Sequence, residues 1–417
     1  MLDNIQGVRT RLIGRPGEQS TLAVVLFGAA IFGLLPISTD LYLPALPAIR
    51  AAFGDSGSHV QLTLSAFIFG FGVAHLFTGP LSDRYGRRPL LLSGLGIYVL
   101  ASLGCALASD LTMLILFRAL QGIGACSGTV MSRAIIRDLY EPRRGAYVFS
   151  LVVTAFTMVP MFAPLIGGSL TAWFGWRATF AFLLAFSALI MAAVWRLLGE
   201  TNRHLDATAT DPARLAGNYA LILRHPVFLG FTLCCMFSYA GLFTYLSLSS
   251  FILFDAYGVP AQRFGLWFML GVCGHVSGAL ACNRLVRSYA MTRLVLVSSS
   301  ITALGAVLML ILVWRELAHP LAVMGPMILY LFGHGMNTPL CMMGAVGPFP
   351  RLAGTASALF GFIQSVVAAV VGQVAMRFYD GTGMILAGIA VISALCLLVT
   401  AVFAARLGSR GNAESEK

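Results

Sequence analysis

Of the 16 acidic side chains in this 417-residue sequence, Asp40 alone falls inside a long apolar run. An isolated charge in such a run costs ~2.5–3.5 kcal/mol even on insertion scales, so Asp40 must face a cavity and hold a partner. Arg118 is the partner expected on depth. Asp40 lies four residues before Pro44, near the outer end of the first run. Arg118 lies about seven residues into the fourth run, roughly 10 Å at 1.5 Å per residue. Gln121 and Gly122 share the helical face of Arg118 and leave room there for a helix or a ligand. Two readings fit these spacings. In one, Asp40 exchanges a proton and Arg118 tunes its affinity; in the other, the two form a permanent structural ion pair.

Three more titratable groups, His75, His275 and His334, sit in apolar runs. Each is either a polar contact between packed helices or a cavity group able to titrate near neutral pH. None stands in a metal-ligand spacing such as HExxH, so no metal is expected. The runs supply no paired carboxylates and no nucleophile–base set, and the chain is not expected to be an enzyme.

A last chemical feature is the loop Gly79-Pro80-Leu81-Ser82-Asp83-Arg84-Tyr85-Gly86-Arg87-Arg88-Pro89. Gly79 and Pro80 are expected to end a helix in a tight turn and Gly86 to permit a second turn. Asp83 has no role in a loop of topology-setting arginines. Its carboxylate is expected to dock on a helix N-terminus near Gly354-Thr355, where free N–H groups favour an anion. The plainer alternative is a turn that carries only charge.

The elements that position these groups follow from composition. Hydrophobic residues make up 58% and charged residues 10% of the chain, against ~45–50% and ~25% in soluble domains. Such a surface must be covered by lipid. Apolar runs of the length a bilayer requires, ~20 residues, number twelve. They cover 21–44, 58–79, 89–108, 111–134, 146–170, 177–198, 226–254, 263–282, 293–314, 321–344, 354–376 and 383–405. With both termini cytoplasmic, 20 of the 27 basic residues lie inside, 5 outside and 2 within runs, which sets the orientation. The same bias accounts for the net charge of +11, so no nucleic-acid partner is implied. The N-terminal arginines Arg9, Arg11 and Arg15 precede a run too long for a signal peptide, which is expected to be retained as the first helix. None of the eight cysteines lies in an outer loop, which argues against disulfides.

The hydrophilic stretch 199–225 divides the chain into residues 1–198 and 226–417, six runs each, with a basic loop after the second run of each half. The expected fold is an all-α membrane protein of two six-helix pseudo-repeats, with a ligand site at their interface. Candidate cavity residues are Tyr42, Phe117, Phe237, Tyr239, Phe243, Tyr245, His275, His334 and Phe360, an apolar wall suited to amphiphiles.

The Gly79–Pro89 run resembles the cytoplasmic loop motif of the major facilitator superfamily, with Gly79, Asp83, Arg84, Gly86, Arg87 and Arg88 at its marked positions. Arg118, Gln121 and Gly122 resemble its fourth-helix motif, linked with proton coupling. Ala163-Pro164-Leu165-Ile166-Gly167-Gly168 is similar to its fifth-helix antiporter signature. There Ala163 and Val159 replace glycines, Pro160 is additional, and Pro164, Gly167 and Gly168 are kept. Ser38-Thr39-Asp40-Leu41-Tyr42-Leu43-Pro44 is similar to the first helix of the Bcr/CflA branch, the bicyclomycin and chloramphenicol type drug:H⁺ antiporters. The resemblance implies the major facilitator fold in a bacterial inner membrane. It implies a monomer that exchanges protons for small amphiphilic drugs without a cofactor. A transporter of one metabolite on the same fold, exporter or importer, is the alternative.

Overall fold

The computed structural model describes residues 21–317 and 319–415, the side chains of Pro142 and of residues 407–415 excepted. Of the basic residues that set the expected orientation, Arg9, Arg11, Arg15 and Lys417 lie outside the described residues. Lipid offers no hydrogen bonds, so every backbone group in a span must be paired within the protein, and the spans among the described residues are all helical. In order, the helices are α1 Thr21–Phe32, α2 Leu34–Asp40, α3 Leu46–Phe53, α4 Gly57–Tyr85, α5 Arg87–Ala106, α6 Leu111–Leu139, α7 Pro142–Phe156 and α8 Val159–Phe174. There follow α9 Arg177–Leu197, α10 Pro212–Leu223, α11 Pro226–Phe251, α12 Ala261–Leu285, α13 Met291–Trp314, α14 Leu321–Val346, α15 Ala353–Arg377 and α16 Met384–Ser415.

Among the described residues, ten of these spans are long and apolar enough to cross a bilayer, and the bent pair α1 with α2–α3 makes an eleventh. The twelfth is α14. Its 26 residues reach about 39 Å at 1.5 Å per residue; His334, Asn337 and two internal prolines lower its hydropathy without shortening it. The two six-helix halves meet along α4 and α15 and along α8 and α12. We call the end of the bundle that carries 199–225 the linker face and the other end the far face. At the far face the halves are tied by Arg50 to Asp255, Gln61 to Ser247, and Gln373 to the Ser58 carbonyl.

Two expected spans are not single helices. The first bends by 48° at Gly33, because Pro36 has no N–H to offer the Phe32 carbonyl. The fifth is broken between α7 and α8, where Pro160 likewise leaves Phe156 without its partner. A third correction concerns Gly79 and Pro80, which do not end the second span. The α4 helix continues through Pro80 to Tyr85, and the chain turns at Gly86, whose φ of +99° suits glycine.

Pro80 is tolerated because its missing hydrogen bond is supplied from elsewhere. The carbonyl it would have bonded is Leu76, and the hydroxyl of Tyr219 donates to that oxygen at 2.7 Å. Tyr219 lies on α10, a helix inside the 199–225 linker whose first turn is capped by the Asp211 side chain. Pro47 sets up a similar link at the far face, where Ser250 of α11 donates to the Leu43 carbonyl at 2.6 Å. Each proline thus leaves an acceptor with spare capacity that a more distant element uses. Tyr219→Phe is therefore expected to lower stability by about 1 kcal/mol, the cost of a lost hydrogen bond at a half-buried carbonyl. Adding Pro80→Ala should return most of that loss, since an alanine at this position supplies its own N–H to Leu76. Thermal unfolding of the two variants in detergent checks this; equal melting of both would show that Tyr219 acts by packing alone.

Candidate functional site

Between the halves lies a cavity of about 280 Å³. Both broken spans reach it: Leu35 and Pro36 from the first, Phe156, Thr157 and Pro160 around the second. Each remaining wall is one helical face. On α11 it is Tyr239, Leu242, Tyr245 and Leu246; on α12, Phe268, Val272, His275 and Val276; on α14, Leu331, His334 and Thr338. These spacings of three, four and seven residues repeat the helical period. Ile68 of α4 and Gln364 of α15 complete the lining.

Asp40, the last residue of α2, opens onto this cavity with 5% of its surface exposed. Its Oδ1 accepts a hydrogen bond from Thr39 Oγ1 at 2.9 Å. The expected ion pair with Arg118 is not formed. Arg118 is fully buried and donates from Nη1 to the Ser38 carbonyl at 3.2 Å and to Gln121 Oε1 at 2.6 Å. Its guanidinium lies 4.5 Å from the Tyr42 ring and 4.3 Å from the Phe67 ring, with Phe180 at 5.9 Å. The positive charge is therefore held by ring faces and a carbonyl, while Nε and Nη2 have no hydrogen-bond partner among the described residues. Gln121 passes the network on through Ser102, and Ser38 is joined to Tyr98. Gly122 serves packing: a Cβ there would overlap the Phe67 carbonyl of α4.

Of the expected cavity residues, Tyr239, Tyr245, His275 and His334 line it. The other five do not. Tyr42 turns to Arg118 and hydrogen-bonds Thr63 at 2.6 Å. Phe117 packs over Gly104, and Phe243 is buried over Gly372. Phe237 and Phe360 belong to a second hydrophobic core nearer the linker face. His75 is buried beside Phe71, with Nδ1 3.2 Å from the Phe71 carbonyl. In the fifth-span motif, Pro164, Gly167 and Gly168 are buried, and Gly167 and Gly168 carry α8 between the halves. A Cβ on Gly167 would overlap the Leu41 carbonyl, and one on Gly168 the Ala261 carbonyl of α12.

At the linker face, Asp83 pairs with Arg87 at 2.6 Å, and Arg87 also bonds Asp138 at 3.1 Å. Asp83 and Gly354 border a common cavity of about 250 Å³; the Asp83 carboxylate takes its hydrogen bond from Arg87, not from the α15 terminus. The helix N-terminus that takes a carboxylate is instead that of α5, where Glu200 accepts from the Arg87 and Arg88 amides at 2.9 and 3.1 Å. Gly86 leaves the space for it. The linker also clamps the loop through Arg84 to Thr210 and through the Asp206 amide to the Asp83 carbonyl. The Thr208 hydroxyl and amide, followed by Arg214, hold the Asp206 carboxyl below the usual range. Asp83→Asn is expected to leave folding and insertion nearly intact and to slow transport, because Arg87 then keeps only Asp138 as a charged partner. Wild-type rates at equal expression would leave the loop with a topological role only.

The sequence model of the Major Facilitator Superfamily matches residues 10–372. The chain belongs to this superfamily. As a member it is a multi-pass membrane transporter of small molecules. It is 31% identical to multidrug resistance protein D of Escherichia coli, over 94% of this chain and 99% of that protein. It is 32% identical to a chloramphenicol resistance protein of Pseudomonas aeruginosa, over 85% and 83% of the two chains. A bicyclomycin resistance protein homolog of Haemophilus influenzae is 26% identical over 85% and 89%. These relatives agree with the branch that the first-helix residues resemble. The fold matches the crystal structure of a D-xylose-proton symporter with a TM-score of 0.72 at 16% identity, covering 91% of this chain and 97% of that one.

Sequence reasoning missed Phe67, Thr39, Gln364 and Glu200. Glu200 carried a readable signal, as a lone acid just past the sixth run. Gln364 was a polar residue one helical turn after Phe360. Nothing in the sequence marks Phe67 as half of an arginine cage.

Proposed function

We propose that the protein is a proton-coupled exporter of small amphiphilic compounds, acting as a monomer in a bacterial cytoplasmic membrane. The observation that carries this reading is Asp40: a carboxylate without a basic partner among the described residues, on the wall of a largely apolar cavity between the two halves. Protonation removes its charge, and a bound compound competes for the same place. With the far face tied shut, binding and release of the proton alternate with rocking of the halves about the cavity. The names of the relatives, which speak of multidrug, chloramphenicol and bicyclomycin resistance, support compounds of this class.

The test is accumulation of such a compound in cells with and without the protein, first with the proton gradient intact and then collapsed. Lower accumulation that disappears with the gradient is the expected result; indifference to the gradient would end the proton-coupled reading. The modest cavity volume favours a second reading, transport of one compact metabolite, which a panel of unrelated toxic compounds separates from the first.

Orientation belongs to the same proposal. The linker face is cytoplasmic, as the arginine distribution requires. A membrane-impermeant thiol reagent in intact cells is expected to label a cysteine placed at 110 and to miss one at 208. The reverse pattern would invert the direction of transport.

A further inference from the structure

The wall that the C-terminal half gives to the cavity holds two imidazoles for which proton exchange at Asp40 has no use. His275 of α12 and His334 of α14 lie with ring centroids 5.5 Å apart and planes tilted by 32°. They meet because the two helices touch backbone to backbone. A Cβ on Gly274 would overlap the Ile328 carbonyl, and one on Gly335 the His275 carbonyl.

The two rings differ in what they lack. Thr338 has one hydroxyl proton and gives it to the His334 carbonyl at 2.9 Å. Toward His334 Nε2, 3.3 Å away, the same oxygen can therefore only accept, which places a proton on Nε2. His334 Nδ1 then accepts from Ser238 Oγ at 2.7 Å. Neutral His334 is satisfied at both nitrogens and is held in place. His275 is not: its Nδ1 is buried without a hydrogen-bond partner among the described residues. Its cavity-facing neighbours on α12 are Phe268, Val272 and Val276, which have nothing to offer it. A half-turn about Cβ–Cγ exchanges the sides of the ring, so either nitrogen can be turned to an occupant. Among the lining residues Asp40 is the one carboxylate, and none is a lysine or an arginine.

We propose that His275 is a substrate-contacting residue, the centre of a neutral hydrogen-bonding subsite that takes a hydroxyl or amide group of a compact uncharged amphiphile. His334 is the fixed platform against which its ring turns. The proposal rests on the exporter reading and names the chemistry its substrates share. Buried polar groups left unpaired by a poor ligand are what give such a subsite its selectivity.

Chloramphenicol, uncharged with two hydroxyls and an amide, is the probe, and tetraphenylphosphonium, a cation with no hydrogen-bonding atom, is its counterpart. Both are measured in vesicles under an imposed proton gradient. His275→Phe keeps an aromatic ring against His334 and removes the nitrogens. It is expected to raise the KM for chloramphenicol about tenfold, the size of one lost hydrogen bond, with a much smaller change in maximal rate and intact gradient dependence. His275→Gln restores a hydrogen-bonding group and should return the KM to within about threefold of wild type. An unchanged KM in the Phe variant overturns the proposal. So does loss of gradient dependence in both variants, which would make His275 a proton carrier. Wild-type protein that moves tetraphenylphosphonium but not chloramphenicol overturns the subsite and leaves the exporter reading standing. If it moves neither, the exporter reading itself falls.

Discussion

Asp40→Asn protein is expected to reach the membrane at wild-type levels, to melt no lower than wild type, and to show gradient-driven transport no greater than membranes lacking it. Asparagine keeps the shape of the side chain, and its Oδ1 still accepts from Thr39 Oγ1, which lies 2.9 Å from the carboxylate. What disappears is a charge that sits 5% exposed without a basic partner. Removing an unpaired buried charge relieves its desolvation penalty, so stability holds or rises. The variant is fixed in the form that mimics protonated Asp40, and it has no proton to release on the other side. Binding of substrate to the purified protein should persist in part, weakened as in the protonated state and without pH dependence, while uphill transport is lost. The check is parallel measurement of binding and of gradient-driven uptake into vesicles. Wild-type uptake in Asp40→Asn would remove Asp40 as proton carrier, and coupling would then fall to His275 or His334.

The spans were legible in the sequence because a bilayer demands about 20 apolar residues in a row, and few other structures do. The breaks in the first and fifth spans were not. A proline inside a membrane helix is sometimes absorbed, as Pro80 and Pro164 are, and sometimes breaks it, as happens just before Pro160. At Pro80 the hydroxyl of Tyr219, from a distant helix, completes the freed carbonyl, and that is a tertiary fact. Asp40 and Arg118 show the same limit. Depth along a helix axis is readable from residue counts, and it places the two at one level. Rotation about the axis is not readable without the neighbours. Arg118 reaches Ser38, two residues short of Asp40, and stops in a cage of rings. The aromatic wall was half legible for a related reason. Tyr239 and Tyr245 share the cavity face of α11 with Leu242 and Leu246, whereas Phe237 and Phe243 fall outside it. The periodicity was in the sequence, but which face met the cavity was not.

Arg118→Ala is expected to lower stability by on the order of 3 kcal/mol, from lost charge-assisted hydrogen bonds and desolvated cation–π contacts, part of which the guanidinium's own desolvation offsets. The substitution leaves Gln121 Oε1 and the Ser38 carbonyl without their donor and opens a void among Tyr42, Phe67 and Phe180. The sequence reading of an ion pair expects a further result: neutralising Asp40 as well should recover the folded protein, because the stranded partner is gone. The structure points the other way. The two side chains share no hydrogen bond, so removing the carboxylate cannot refill the cage. The double variant should melt above Arg118→Ala by no more than Asp40→Asn melts above wild type. Four thermal unfolding curves in detergent complete the cycle. Rescue of the double variant beyond that additive value would mean that Asp40 and Arg118 do pair, in a conformation of the transporter other than this one.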